Sequence, residues 1–129
     1  MIVPARWPWI AVAGLTLALF ATGASPATLA AQAGRAMYDE GVRLLEANEP
    51  GKAERAFERA IAAEPKVGLY HLWLGRAIGV QTINANLLRQ PFLARRTKSE
   101  FEKAVALDPT LLDARDHLII FYLQAPGIM

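Results

Sequence analysis

The side chains best equipped for chemistry in this 129-residue chain are two histidines, His71 and His117, and the carboxylates just before the second, Asp113 and Asp116. Imidazole and carboxylate at one point make a metal site or a general acid–base set. The spacing argues against both. His71 and His117 lie far apart, no His-Glu-x-x-His or similar run occurs, and Asp113 and Asp116 sit three apart on one face of a helix, as first-turn acids favoured by the helix dipole. Cysteine is absent, which removes thiol nucleophiles, disulfides, cysteine metal sites and a lipid-modified cysteine. There is no Gly-x-Ser-x-Gly elbow, phosphate loop or dinucleotide fingerprint. The expectation is a protein with no catalytic residue, cofactor or metal. An enzyme remains conceivable only if the two histidines and nearby acids converge through folding.

Charge is the second chemical resource. The net charge of +2 is ordinary, but no acid occurs between Arg76 and Ser99. That stretch carries Arg76, Arg89, Arg95, Arg96 and Lys98 among Ile83, Leu87, Leu88, Phe92 and Leu93, a broken amphipathic pattern in which Pro91 ends or kinks any first segment. One reading is a longer helical turn with a solvated basic face. The other is a docking surface for an acidic partner or anionic lipid headgroups. Nucleic acid is not expected, because no aromatic stacking platform accompanies the charges.

The elements that must position these residues come from an internal repeat. Phe57-Glu58-Arg59-Ala60-Ile61-Ala62-Ala63-Glu64-Pro65 returns, conservatively altered, 44 residues later as Phe101-Glu102-Lys103-Ala104-Val105-Ala106-Leu107-Asp108-Pro109. A repeated short helical unit implies a stack in which each unit buries its apolar face on its neighbours. Gly41, Ala53, Ala60 and Gly75 are small enough for antiparallel helices to approach closely, and Phe57 and Phe101 fill the gaps between pairs. Pro65 and Pro109 cannot continue a preceding helix and disfavour helical geometry at Glu64 and Asp108, so they set the turn into the next unit. Asn48-Glu49-Pro50-Gly51 reads as the turn inside the first unit, and Thr110 with Asp113 as a capping pair for the last helix.

These residues resemble the tetratricopeptide repeat, a helix-turn-helix unit of about 34 residues. A first unit over 34–67 matches at Gly41, Leu44, Ala53, Phe57, Ala60 and Pro65. A second over 68–111 matches at Leu74, Gly75 and Ile78, then, after about ten inserted residues near 80–96, at Phe101, Ala104 and Pro109. A third over 112–125 supplies only a first helix, with Leu118 and Tyr122 in place and Ile119 where glycine is usual. The resemblance implies an all-α solenoid of about two and a half units, acting as an adaptor that binds a protein or peptide. It implies that first helices line a groove, with Arg35, Tyr38, Val42, Leu72, Arg76, Asp113 and Asp116 facing it and Arg76 available to a ligand carboxylate. Val42, Leu45 and Leu72 stand where a lysine–asparagine clamp for chaperone tails would be, which speaks against that specificity. His71 and Trp73 are expected to pack against the neighbouring unit.

Residues 1–33 are of another kind. Arg6 is their one charge, an apolar run extends from Trp7 to Ala21, and small residues follow, as in an export signal. Thr22-Gly23-Ala24 and Ala31-Gln32-Ala33 both fit small-x-small cleavage, giving a chain that starts at Ser25 or Gly34 and is periplasmic or secreted. The rival is an uncleaved inner-membrane anchor, making the protein a tethered assembly factor whose basic insert meets an acidic subunit or the lipid surface. At the other end, Leu118-Ile119-Ile120-Phe121-Tyr122-Leu123 is apolar all round and is followed by Pro126-Gly127. Ile120 and Leu123 are expected to lack a partner. In the exported bacterial repeat proteins that the chain resembles, a similar segment leads into further repeats, so the readings are a truncated array or a self-association surface.

Overall fold

Ser25 caps the first described helix: its hydroxyl oxygen accepts the Thr28 backbone N–H at 3.2 Å, and Pro26 occupies the first helical position, where a missing N–H costs nothing. The computed structural model describes residues 23–124 as five helices, α1 (Pro26–Glu46), α2 (Pro50–Ala63), α3 (Gly68–Asn84), α4 (Gln90–Leu107) and α5 (Leu112–Gln124), with no strand among the described residues. The fold is all-α. The apolar run Trp7–Ala21 and the Pro126-Gly127 pair lie outside the described residues. Among the described residues no helix is long and apolar enough to cross a membrane.

Short connections make α1–α2 and α3–α4 successive hairpins, with α3 packed on α2 and α5 on α4. Asn48, in the left-handed region at φ 59°, turns the chain between α1 and α2. Both second helices stop as the prolines require. Glu64 and Asp108 leave helical geometry (φ −137°, ψ 84° and φ −141°, ψ 92°), one residue before the exposed Pro65 and Pro109. Pro91 does not kink a helix: it is the second residue of α4, among the N–H groups that have no intrahelical acceptor. The Thr110–Asp113 capping pair does not form either. The Thr110 hydroxyl and N–H both donate to Asp108 Oδ1, at 2.5 and 3.0 Å, which lowers the Asp108 pKa, and α5 starts instead on the Leu111 carbonyl.

The core repeats as the sequence does. A Cβ on Gly41 would stand 2.5 Å from the Phe57 ring, and one on Gly75 2.6 Å from the Phe101 ring. In each hairpin the phenylalanine of the second helix therefore lies on the bare backbone of the first. One apolar cluster joins Ala53, Phe57, Leu74, Ala77, Ile78 and Leu93; a second joins Leu72, Phe101, Ala104 and Ala114, and Trp73 touches both. Ala60 is fully buried. Only Ala114 is buried on α5, because α4 alone packs broadly on it.

The ten-residue excess of the second unit is ordinary helix. From Gly68, α3 runs four residues further than α1 does from Gly34, α4 has 18 residues against 14 in α2, and the turn 85–89 is two residues longer than 47–49. The insert thus lengthens both helices by about one turn and carries their tip outward. At the other end, α1 runs unbroken through Ala31-Gln32-Ala33, so residues 26–33, read from the sequence as leader, are continuous with the first hairpin.

Candidate functional site

Helix α3 lies between α2 and α4 and so has little surface left for solvent: Tyr70, His71, Leu72, Leu74, Gly75, Ala77 and Ile78 are buried. The strip that remains open carries Trp73, Arg76, Gly79, Val80 and Ile83. With Leu45 of α1 on one side and His117, Ile120, Phe121 and Gln124 of α5 on the other, it forms a groove of about 530 Å³ floored by Gly75, Thr97 and Phe101. The groove exists because α5 is held by α4 and leaves a gap along α3.

Its one fixed cation is Arg76. The guanidinium carbon sits 4.7 Å from the Trp73 ring centroid, a cation–π contact that restrains the side chain at the groove wall. Arg76 is in no salt bridge among the described residues, so its donors face a groove whose lining is otherwise mostly apolar. Trp73 is anchored beneath: its ring meets Tyr38 edge-on at 5.9 Å and tilts against Phe57 at 6.1 Å. It packs between units, as the sequence indicates, and also presents a face to the groove.

His117 stands at the α5 edge. Its Nδ1–H donates to the Asp113 carbonyl at 2.6 Å and its ring tilts against Phe101 at 5.0 Å. The exposed carboxylates of Asp113 and Asp116 do not join it. His71 is held elsewhere, on the α3–α4 interface, where Nδ1–H donates to Glu100 Oε2 at 2.7 Å while Lys103 binds the other carboxylate oxygen. The two histidines do not converge, and among the described residues no group of three His, Asp or Glu side chains could hold a metal ion.

The other sequence-chosen residues separate. Arg35 is exposed, paired with Asp39 at 3.1 Å and set over Tyr38. Tyr38 is half-buried beside Tyr70 and Trp73; burial, above all, raises its pKa. Val42 packs on the first core cluster. Leu72 is not a groove residue: it is 2 % exposed, buried in one cluster with Phe101, Ala104 and Ala114, because that side of α3 meets α4. Of the five partner-binding candidates, only Arg76 lines the groove. Asp116 is exposed on α5, outside the lining.

Within the basic stretch, Arg96 bridges α4 to α2 through Glu54 (2.7 Å) and Glu58 (3.5 Å). Lys98 lies near Glu102 and over the Tyr122 ring at 5.1 Å, tying α4 to α5. Arg89 and Arg95 are exposed and in no salt bridge among the described residues. Sequence reasoning passed over Gly79, Val80, Ile83 and Phe121 as lining. Trp73, Arg76, Val80 and Ile83 follow the three-to-four spacing of one helical face, but α3 is apolar on nearly every side, so no face stands out.

A search of protein-family models, curated proteins and solved structures finds nothing that matches this chain.

Proposed function

We propose that this chain is a non-catalytic adaptor, a short solenoid of tetratricopeptide-like hairpins that receives a partner peptide in the groove between α1, α3 and α5. The groove itself carries the reading: an open, mostly apolar trough of about 530 Å³ with Arg76 fixed at its wall by Trp73. A peptide that fits it buries two or three apolar side chains against Val80, Ile83 and Ile120 and places a carboxylate at Arg76. The repeated Gly41–Phe57 and Gly75–Phe101 contacts support the solenoid reading, since they set the same hairpin geometry in both units.

The test is selection from a random-peptide phage library on the immobilised chain. The expected outcome is a consensus pairing bulky apolar residues with an acid, lost at least tenfold with Val80→Asp, at the wall, and weakened with Arg76→Ala. No consensus, or one that binds the Val80→Asp variant equally, contradicts the reading.

The adaptor is read as exported and cleaved after Ala24. This cut leaves the Ser25 cap and all of α1, whereas a cut after Ala33 falls inside the helix. Intact-mass analysis of the mature protein is expected to give a terminus at Ser25; a terminus at Gly34, or retention of residue 1, contradicts it.

A further inference from the structure

The tips of the two hairpins differ in a way that the fold does not require. The first turns through Ala47, Asn48 and Glu49, beside Glu46 and Lys52, and is polar. The second reaches one helical turn further, about 6 Å at 1.5 Å per residue, and ends in Leu87, Leu88 and Phe92, which are 83, 91 and 63 % exposed. The core side of the same helix is already filled, since Leu93 is 4 % exposed. The tip side chains cover nothing, and the extension that carries them adds no core residue beyond Leu93 and Ala94.

Charge at the tip is one-sided. No acid occurs between Arg76 and Ser99, and Arg89 and Arg95 are exposed and in no salt bridge among the described residues, while Arg96 and Lys98 are held by Glu54, Glu58 and Glu102. An apolar projection collared by cations suits the headgroup–acyl boundary of an anionic bilayer, where lipid phosphates meet the arginines and the leucines enter the acyl boundary. A projecting tip is also the shape a deformable lipid surface accepts without a preformed pocket. We infer that the α3–α4 tip is a docking point for anionic membrane surfaces, independent of the groove and of what the groove binds.

The chain contains no cysteine, so Leu88→Cys gives a single site for an environment-sensitive fluorophore in the full chain. A local probe reports on the tip whatever the N-terminal segment does. A label at Ala62→Cys, at the far end of α2, serves as control. The expected result is a blue shift and an intensity gain of about threefold at residue 88 on phosphatidylcholine vesicles containing about 30 % phosphatidylglycerol. Residue 62 should not respond, and the gain should be absent on pure phosphatidylcholine vesicles. It should fall steeply in about 1 M salt and in the Arg89→Glu/Arg95→Glu variant, with helical content unchanged by circular dichroism. No response at residue 88 on anionic vesicles overturns the inference, as does an equal response on neutral ones. A response to soluble polyglutamate assigns the tip to an acidic protein and overturns it too. So does a concentration-dependent response without vesicles, which assigns it to a second copy.

Discussion

Gly41 and Gly75 are where single atoms decide the packing. Alanine is the better helix former by about 1 kcal/mol, yet at either site its methyl would enter the ring of Phe57 or Phe101. Both rings are buried and cannot swing away. Gly41→Ala and Gly75→Ala are therefore expected to destabilise by about 1–3 kcal/mol in urea unfolding. Gly51→Ala, with nothing within 4 Å of the added methyl, is expected to be neutral or slightly stabilising. A gain of stability at all three would point to helix propensity rather than ring contact. Tyr70 makes a second test. Burial, then the hydrogen bond that its hydroxyl donates to Glu64 Oε1 at 3.0 Å, push its pKa from 10.0 up to about 12. Below pH 10 the phenol is protonated in both states and its stabilising effect is complete. Between pH 10 and about 12 the unfolded chain releases the proton and the folded chain retains it, so stability falls across that window. Unfolding midpoints at pH 9 and 11.5 should therefore differ less in Tyr70→Phe than in the parent. These positions were legible to different degrees. The glycine–phenylalanine pairs stood in the repeat, whereas Leu72 reads as groove surface in the register of the repeat that the sequence resembles, and only its burial in the cluster with Phe101, Ala104 and Ala114 removes it from solvent.

At the scale of elements, the repeat pattern located the helices well where one face is buried. It failed on α3, which has neighbours on several sides and whose groove strip, Trp73 to Ile83, is no less apolar than its core side. The insert was readable as extra residues but not as a turn added to each helix, because Pro91 reads as a breaker in sequence and is a second helical residue in space. Helix α5 is the least embedded element. Ala114 is its one buried residue, and Leu112, Ile119 and Leu123 are exposed on it. Ile119 stands at the place of Gly41 and Gly75, yet no described helix lies against it. Hydrogen exchange is expected to show the amides of α5 opening first and those of α3 last. Ile119→Lys should cost less than about 0.5 kcal/mol, against at least 2 kcal/mol for Ala114→Asp. Protection of α5 equal to that of α3, or a large loss with Ile119→Lys, would show that the apolar face is already covered, as in a self-associated chain.

At the scale of the whole molecule, the helices divide the work. Buried alanines, glycines and phenylalanines lock α1–α2 and α3–α4 into like hairpins, Arg96 and Glu54 bridge the two, and α5 leans on α4 so that a trough stays open along α3. That trough holds Arg76, in no salt bridge among the described residues, a Trp73 face and an apolar wall. The sequence could suggest a groove through the family register but could not choose its lining, because the trough depends on how far α5 stands from α3, which no local pattern encodes. The most direct test maps a selected peptide onto the isotopically labelled chain by amide and indole NMR shifts. The account predicts perturbations at Trp73, Gly75, Arg76, Gly79, Val80 and Ile120, with α2 unmoved. Perturbations centred on the outer face of α2, at Arg55, Glu58 and Arg59, or spread evenly over the chain, would contradict it.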